Sequence, residues 1–416
     1  MEPATRSYTN LTMPIILYIC LYIVMIGYGI SLPVLPFFMK ELARAQGVGV
    51  SQLSLHVGAV TAIFAFMQLL FAPLWGMLSD KTGRRKPLLI MGLAGYVVSM
   101  ALAGVSHNIT TLYAARMLNG IFAAAVLPIA AAYIVDVIPV KHQAQGLAWH
   151  GTAVGLGVVS GPVLGSVFIY LLDGHPVRFW GLDINRFSGP FFIASLLAAA
   201  ALIIAAIRLP ESSRGARIPS AEKLAAQQPG TGHNTSIMPT IAAFLLLSLL
   251  SQFGLSLFEA TFVLHAQRTM VFTAAQLGFV FMTCGFVMAA AQGTVVAGFI
   301  ERLGVGRVLP FGFIFMGLGL LMLMVTGTMG TILLSVGILA SGMAIITPSI
   351  AVLIARRAGD RLGKGLGMLA GANSIGQTLG PLIGSMIFVY NIHLPYLLTA
   401  GVLFTAAGGI FIKNKK

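Results

Sequence analysis

Leu245–Ala266 reads LLLSLLSQFGLSLFEATFVLHA, an apolar run with one acidic side chain, Glu259. About 20 such residues span a bilayer as one α-helix, so the run predicts a membrane-spanning helix. Gln252, Ser256 and Glu259 recur at helical spacing and form one polar stripe on that helix. Because a charge in hydrocarbon costs at least ~2.5–3.5 kcal/mol, we expect the stripe to face the protein interior.

Two interpretations of Glu259 remain open at this point. The acid either stays protonated and only hydrogen-bonds a neighbouring helix, or it binds and releases a proton during a working cycle. Ionisable residues inside membrane spans are commonly functional, which favours the second interpretation. Phe258 and Phe262 flank the acid and are candidate contacts for a substrate.

The composition extends the membrane prediction to the whole chain. Of its 416 residues, 57% are hydrophobic and only 9% are charged, whereas soluble proteins carry about 25% charged residues. The apolar runs are continuous, unlike the alternating strands of a membrane β-barrel. We count twelve spans, at residues 13–38, 55–78, 87–106, 110–135, 144–172, 188–208, 238–265, 274–300, 308–327, 329–354, 365–390 and 393–412. The predicted fold class is an all-α polytopic membrane protein.

Basic residues are distributed unequally between the two sides of the predicted membrane. With the N-terminus inside, 19 of the 25 lysines and arginines lie on the inner side and five on the outer side, while Arg116 lies within a span. This bias predicts that both termini are cytoplasmic. It also accounts for much of the net charge of +14 without a nucleic-acid partner.

The two halves of the sequence repeat each other. Gly157–Ser166 reads GVVSGPVLGS and Gly376–Ser385 reads GQTLGPLIGS, at an offset of 219 residues. We therefore predict two pseudo-symmetric six-helix bundles, residues 1–208 and 238–416, joined by a polar cytoplasmic linker at 209–237. Such repeats place a binding site at their interface near the bilayer midplane.

The loop between the second and third spans carries a more specific pattern, Gly76–Lys86, GMLSDKTGRRK. It resembles the loop signature of the major facilitator superfamily. The resemblance implies a conformational gate in which Asp80 faces a helix N-terminus of the other half and Arg84 and Arg85 pair with Asp136. The expected gate residues are Gly76, Asp80, Gly83, Arg84, Arg85 and Asp136. The alternative is that the cations only anchor the loop on the inner side.

Further stretches are similar to the twelve-helix drug:proton antiporter group of that superfamily. The fifth span carries a small-residue pattern at Gly157, Gly161, Pro162 and Gly165 that resembles the antiporter signature and implies export. Phe253–Thr261, FGLSLFEAT, resembles the seventh-span motif, so Glu259 falls on the proton-coupling glutamate. Arg116 matches an arginine of another motif, which implies a role in proton coupling. The alternative is that Arg116 binds backbone carbonyls and fixes its helix.

Helical spacing also suggests which side chains line a substrate cavity. Aromatic and methionine side chains adapt to varied lipophilic ligands, and aromatic faces attract cations. Amides are candidates because lipid disfavours them. The predicted substrate-binding residues are Tyr22, Met25, Phe64, Gln68, Asn119, Phe258, Phe262, Phe281, Met288, Asn373 and Gln377. For any single Met or Phe, packing in the core or against lipid is the alternative.

Together these features predict a monomeric, proton-coupled exporter of lipophilic, often cationic molecules in a bacterial cytoplasmic membrane. Its expected partners are the small-molecule substrate, protons and the bilayer. No phosphate-binding loop, metal-ligand cluster or nucleophile arrangement occurs in the sequence, so we expect no enzymatic activity, cofactor or metal. The alternative is export of a specific metabolite, siderophore or metallophore, with Arg116 as a ligand for an anionic cargo.

Overall fold

The structure, a computed structural model, describes residues 12–139, 142–172, 177–179, 182–212, 238–292, 302–325, 327–358 and 362–415. Within these ranges the chain forms twelve α-helices and one short β-hairpin. The first half contains α1 (Thr12–Ala45), α2 (Val50–Thr82), α3 (Lys86–Gly104), α4 (Ile109–Val137), α5 (Gln143–Leu171), β1 (Val177–Phe179), β2 (Leu182–Ile184) and α6 (Gly189–Arg208). The second half contains α7 (Met238–Thr269), α8 (Ala274–Ala290), α9 (Val305–Met322), α10 (Met329–Ala358), α11 (Leu362–Tyr390) and α12 (Leu394–Lys415).

Every predicted span overlaps one of these helices, so the all-α polytopic prediction is confirmed. Ten of the described helices are long and apolar enough to cross a membrane. The described part of α8 is shorter. Two predicted segments lie partly outside the described residues: most of the linker at 209–237 and the end of the span at 274–300. Helix α11 is also long enough, but it carries seven glycines, which suit its close packing against α7 and α2. The hairpin between α5 and α6 is a small addition that the sequence analysis did not predict.

Capping residues fix where some of these helices begin. The Asn108 side chain accepts a hydrogen bond of 2.7 Å from the Thr111 backbone and starts α4. Thr273 and Gln276 form a reciprocal capping box that starts α8. Such caps satisfy backbone donors that have no partner inside the helix.

A row of glycines joins α5 to α1. A Cβ added at Gly157 would lie 2.5 Å from the Tyr22 carbonyl oxygen. A Cβ at Gly161 would lie 2.5 Å from the Ile26 carbonyl oxygen, and Gly165 continues the same row. Only glycine allows the two backbones to approach this closely. The predicted small-residue motif of the fifth span therefore lies where α5 packs against α1.

The same arrangement recurs 219 residues later between α11 and α7. A Cβ at Gly376 would lie 2.5 Å from the Leu249 carbonyl oxygen, and one at Gly380 would lie 2.5 Å from the Phe253 carbonyl oxygen. The repeated sequence therefore corresponds to a repeated helix pair, one in each half.

The two halves meet at one end of the bundle. We call the end at which α2 ends and α3 begins the basic end, and the other end the opposite end. At the opposite end, a Cβ at Gly58 of α2 would lie 2.5 Å from the Pro381 carbonyl oxygen of α11. A Cβ at Gly278 of α8 would lie 2.7 Å from the Pro162 carbonyl oxygen of α5. Helix pairs α2–α11 and α5–α8 are thus in tight contact there.

Polar contacts also cross between the halves at the opposite end. The Ser166 hydroxyl donates to the Ala274 carbonyl oxygen at 3.1 Å. The Arg268 guanidinium donates to the Ser54 hydroxyl at 3.0 Å and lies 4.9 Å from the centre of the Phe388 ring. These contacts join the two halves at the same end as the close helix contacts at Gly58 and Gly278.

The interface helices are farther apart at the basic end. A Cβ at any of five glycines there would meet no described residue within 4 Å: Gly76, Gly151, Gly155, Gly367 and Gly371. A cavity of about 540 Å³ lies between α5 and α8 in this region. In the described part of the chain, the halves are therefore closed at the opposite end and open at the basic end.

Candidate proton and substrate site

Glu259 of α7 lies in a small pocket between the two halves. Its Oε2 accepts a hydrogen bond of 3.3 Å from the Tyr28 hydroxyl of α1. The pocket has a volume of about 30 Å³, which accommodates water but not a drug-sized molecule. Its lining residues are Tyr28, Ser31, Leu32, Leu35, Pro36, Thr61, Phe64, Ala65, Arg116, Ser256, Glu259, Ala260 and Gln377. The carboxyl group therefore faces the protein interior and not the lipid.

Arg116 of α4 enters the same pocket from the first half. Its guanidinium carbon lies 4.6 Å from the centre of the Phe64 ring, and Nη1 donates to the Ser31 hydroxyl at 3.3 Å. The side chain is buried, and its Nε has no hydrogen-bond partner among the described residues. The Tyr28 and Phe64 rings are 5.7 Å apart, so they connect the guanidinium to the Glu259 carboxyl group. These two charged groups form no ion pair in the described part of the chain.

Three of the predicted substrate residues line space near the interface of the halves. Phe64 and Gln377 line the Glu259 pocket. Met288 lines the 540 Å³ cavity between α5 and α8, together with Gly151 and Gln292. This cavity, unlike the Glu259 pocket, has the volume of a ligand site.

The three predicted phenylalanines of α7 and α8 form an aromatic cluster in the core of the second half. The Phe258 ring centre lies 5.3 Å from that of Phe262 and 5.9 Å from that of Phe281. All three side chains are at most 4% exposed. In this state they pack against each other and do not line the Glu259 pocket. Their contact with substrate stays a prediction.

Tyr22 and Met25 lie where α1 packs against α5. The Tyr22 hydroxyl accepts a hydrogen bond of 3.2 Å from the Ser160 hydroxyl. The Met25 side chain is buried, and its Cβ lies 2.5 Å from a Cβ placed on Gly157. Both residues therefore hold two helices of the first half together in this state.

Two of the four predicted amides form hydrogen bonds between helices. The Asn119 amide donates to the Ser99 hydroxyl of α3 at 3.1 Å and is buried inside the first half. The Asn373 amide oxygen accepts a hydrogen bond of 2.6 Å from the Ser248 hydroxyl of α7. Gln68 is half-buried on α2 and is not among the residues that line the Glu259 pocket. This geometry supports a structural role for Asn119 instead of the predicted contact with substrate.

The predicted gate residues form a charged cluster at the basic end. Arg85, 4% exposed, places Nε 3.0 Å from Asp136 Oδ2 and Nη1 3.0 Å from Asp80 Oδ1. Its backbone N–H donates to Glu211 Oε1 at 2.7 Å, which satisfies a donor at the start of α3. Gly83 ends α2 with a φ of 64°, a left-handed conformation that favours glycine.

Two details differ from the expected gate. Arg85 makes the ion pair with Asp136, whereas Arg84 is exposed and pairs with neither aspartate. The cluster links helices of the first half, and it is intact while the basic end is open. Asp80 contacts Arg85, and Glu211 of the same half caps the start of α3. The expected contact of Asp80 with a helix N-terminus of the other half stays a prediction.

A comparison with protein-family models assigns the chain to one family. The model of the Major Facilitator Superfamily matches residues 17–292 and, in a second match, residues 241–415. The chain belongs to the Major Facilitator Superfamily. It is therefore a multi-pass membrane transporter and not an enzyme.

Curated relatives within the superfamily match along most of the chain. Multidrug resistance protein 1 of Bacillus subtilis is 28% identical over 93% of this chain and 92% of its own length. The quinolone resistance protein NorA of Staphylococcus aureus is 26% identical over 96% of both chains. The class C tetracycline resistance protein of Escherichia coli is 27% identical over 87% of this chain and 86% of its own length.

Solved superfamily structures agree with the fold. A bacterial homologue of the human lysosomal transporter Spinster, in an inward-facing and unoccupied conformation, matches with a TM-score of 0.75 at 14% identity. It covers 98% of this chain and 97% of its own. The nucleoside transporter NupG matches with a TM-score of 0.72 at 15% identity, over 98% of this chain and 100% of its own. At these identities the likeness concerns the fold alone.

The Arg85–Asp136 pair is expected to stabilise the first half of this superfamily transporter. Asp136→Asn leaves a nearly buried guanidinium without its more buried partner, so we expect about 3 kcal/mol of destabilisation. Thermal unfolding of the purified protein in detergent measures this as a fall of several degrees in the unfolding temperature. The matched control is Asp80→Asn, whose side chain is 64% exposed and whose loss is expected to cost below about 1 kcal/mol. Equal unfolding temperatures for the two variants would contradict the expectation that the loss of Asp136 destabilises the protein more than the loss of Asp80.

Sequence reasoning missed Tyr28, Ser31 and Glu211. Tyr28, Ser31 and Leu35 share one face of α1, because they follow each other at i, i+3 and i+7. These residues lie in or beside the stretch Gly29–Pro36, GISLPVLP, which begins immediately after Tyr28 in the first predicted span. Glu211 lies beyond the end of α6, and no local pattern connects it to the start of α3.

Proposed function

We propose that this transporter is a proton-coupled exporter of lipophilic, often cationic small molecules that works by alternating access. The observation that carries the proposal is the Glu259 carboxyl group, which lies between the two halves within hydrogen-bonding distance of the opposing Tyr28. A titratable acid at this interface can exchange a proton for a cationic cargo. The names of the three curated relatives, which describe resistance to drugs, support this class of cargo.

The proposed cycle assigns a proton state to each orientation. With the basic end open, Glu259 releases its proton and attracts a cationic molecule from that side. With the opposite end open, it binds a proton, becomes neutral and releases the cargo. Tyr28 supports the ionised form, because a carboxylate only accepts hydrogen bonds and the hydroxyl donates one.

The two spaces near the interface suit different parts of this cycle. The pocket around Glu259 holds only water-sized molecules in this state. The 540 Å³ cavity lined by Met288 and Gln292 is large enough for a lipophilic ligand and lies toward the open basic end. We assign this cavity to cargo entry, before the halves rearrange around Glu259.

Orientation in the membrane is part of the proposal. The bias of lysine and arginine supports a cytoplasmic location of the basic end and of both termini. In this orientation the described state is inward-facing. The bacterial sources of the three relatives support the cytoplasmic membrane of a bacterium as the location. We also propose that the monomer is the transporting unit, because the interface of the halves supplies the whole site.

Dye accumulation in cells tests the proposal. Cells that express the chain are expected to accumulate several-fold less of a cationic fluorescent dye than control cells, and a protonophore is expected to abolish the difference. The same assay with an anionic metal chelate examines the alternative cargo. Export that persists without a proton gradient, or export of the chelate alone, would contradict the proposed function.

A further inference from the structure

A second cavity lies within the second half, away from the interface between the halves. It has a volume of about 570 Å³ and is formed by α7, α9, α10 and α12. This volume falls in the range of ligand sites. None of the residues that line it belongs to the Glu259 pocket or to the cavity between α5 and α8.

The walls of this cavity are apolar, and the cavity opens sideways. Leu246 of α7 and Val402 of α12 line it and are 56% and 44% exposed. In a membrane protein such side chains face the acyl chains of lipid. Gly409 of α12 also lines the cavity, and a Cβ there would meet none of the described residues within 4 Å.

The end of this cavity toward the basic end of the bundle is positively charged. Arg357, at the end of α10, lines it, and its guanidinium carbon lies 5.0 Å from the centre of the Phe244 ring of α7. Arg356 precedes Arg357 and is also exposed. A cation at the membrane surface beside an apolar groove complements an anionic headgroup with its acyl chain.

We propose that this cavity binds an anionic phospholipid from the leaflet at the basic end. The phosphate of the headgroup contacts Arg357, and one acyl chain lies along the groove between α7 and α12. The lipid contacts only helices of the second half, so it stabilises that bundle without entering the path between the halves. This site does not depend on the identity of the transported cargo.

Native mass spectrometry of the purified protein, titrated with phosphatidylglycerol or phosphatidylcholine, tests the site. We expect one preferred phosphatidylglycerol molecule per protein. Arg357→Gln is expected to weaken its binding by about tenfold, the effect of losing one charge-assisted contact. Gly409→Leu fills the groove and is expected to prevent binding at this site.

Adjacent residues provide the controls. Arg356→Gln removes the same charge next to the cavity, and Gly408→Leu adds the same bulk at a glycine that does not line it and has open space around its Cβ. Both controls are expected to bind phosphatidylglycerol as the unmodified protein does. The proposal would be overturned by equal binding of the two lipids, or by unchanged binding in both Arg357→Gln and Gly409→Leu. Because the readout is lipid mass and not transport, failure of the proposed export function would leave this result unaffected.

Discussion

Glu259→Gln is expected to abolish proton-driven efflux while leaving a folded protein in the membrane. Glutamine preserves the shape of the side chain and can still accept the hydrogen bond from Tyr28, which is 3.3 Å long in the unmodified protein. It cannot bind or release a proton at physiological pH. The variant therefore loses the link between the proton gradient and the cargo, and uphill efflux from proteoliposomes should fall to the background rate.

Two further measurements separate this loss of coupling from misfolding. Downhill exchange of labelled for unlabelled substrate should persist in Glu259→Gln, because the halves still alternate around bound cargo. The matched control is Glu41→Gln, an exposed acid of α1 that accepts a hydrogen bond from Asn185 and lies outside the pocket. That variant is expected to retain uphill efflux, and full efflux by Glu259→Gln would contradict the account.

Bulky residues at Gly58 or Gly278 are expected to prevent closure of the opposite end. A Cβ at Gly58 would already collide with the Pro381 carbonyl oxygen at 2.5 Å, and one at Gly278 would lie 2.7 Å from the Pro162 carbonyl oxygen. Backbone atoms cannot move aside as a flexible side chain can. Gly58→Leu and Gly278→Leu should therefore shift the protein toward a state open at the opposite end and reduce transport at least tenfold.

Spin labels at Leu55 of α2 and Tyr390 of α11 measure this shift. Both positions are exposed near the opposite end, and the distance between the labels is expected to lengthen in Gly58→Leu and Gly278→Leu. The matched control is Gly401→Leu on α12, where a Cβ would lie more than 4 Å from every described neighbour. Unchanged label distances in both interface variants, or an equal change in the control, would show that the helix contacts at Gly58 and Gly278 do not control closure of the opposite end.

The number and positions of the helices were predictable because span length and apolarity are local properties of the sequence. The bilayer requires about 20 apolar residues for each crossing, and all twelve predicted spans overlap helices. The glycine rows were predictable as close contacts because the repeat retains them at an offset of 219. The helices that pack against these glycine rows were not predictable, since the spacing of the glycines does not show which neighbouring helix will pack against them.

The functional side chains were harder to predict, because the sequence does not show which face of a helix meets which neighbour. Asn119 and Gln377 are both amides inside apolar runs, yet Asn119 bonds to Ser99 of α3 while Gln377 lines the Glu259 pocket. Phe258 is the immediate neighbour of Glu259 in sequence. Successive residues on a helix are about 100° apart, so its ring packs into the core while the acid faces the other half.

Proton release on substrate binding tests the central claim most directly. Saturating cationic substrate is added to the purified protein in weakly buffered detergent solution at several pH values, and a pH indicator reports the protons released. We predict release from the unmodified protein at a pH where Glu259 is still partly protonated, and none from Glu259→Gln at any pH. Equal release from both proteins would show that the exchanged proton belongs to another group, and the account would be wrong.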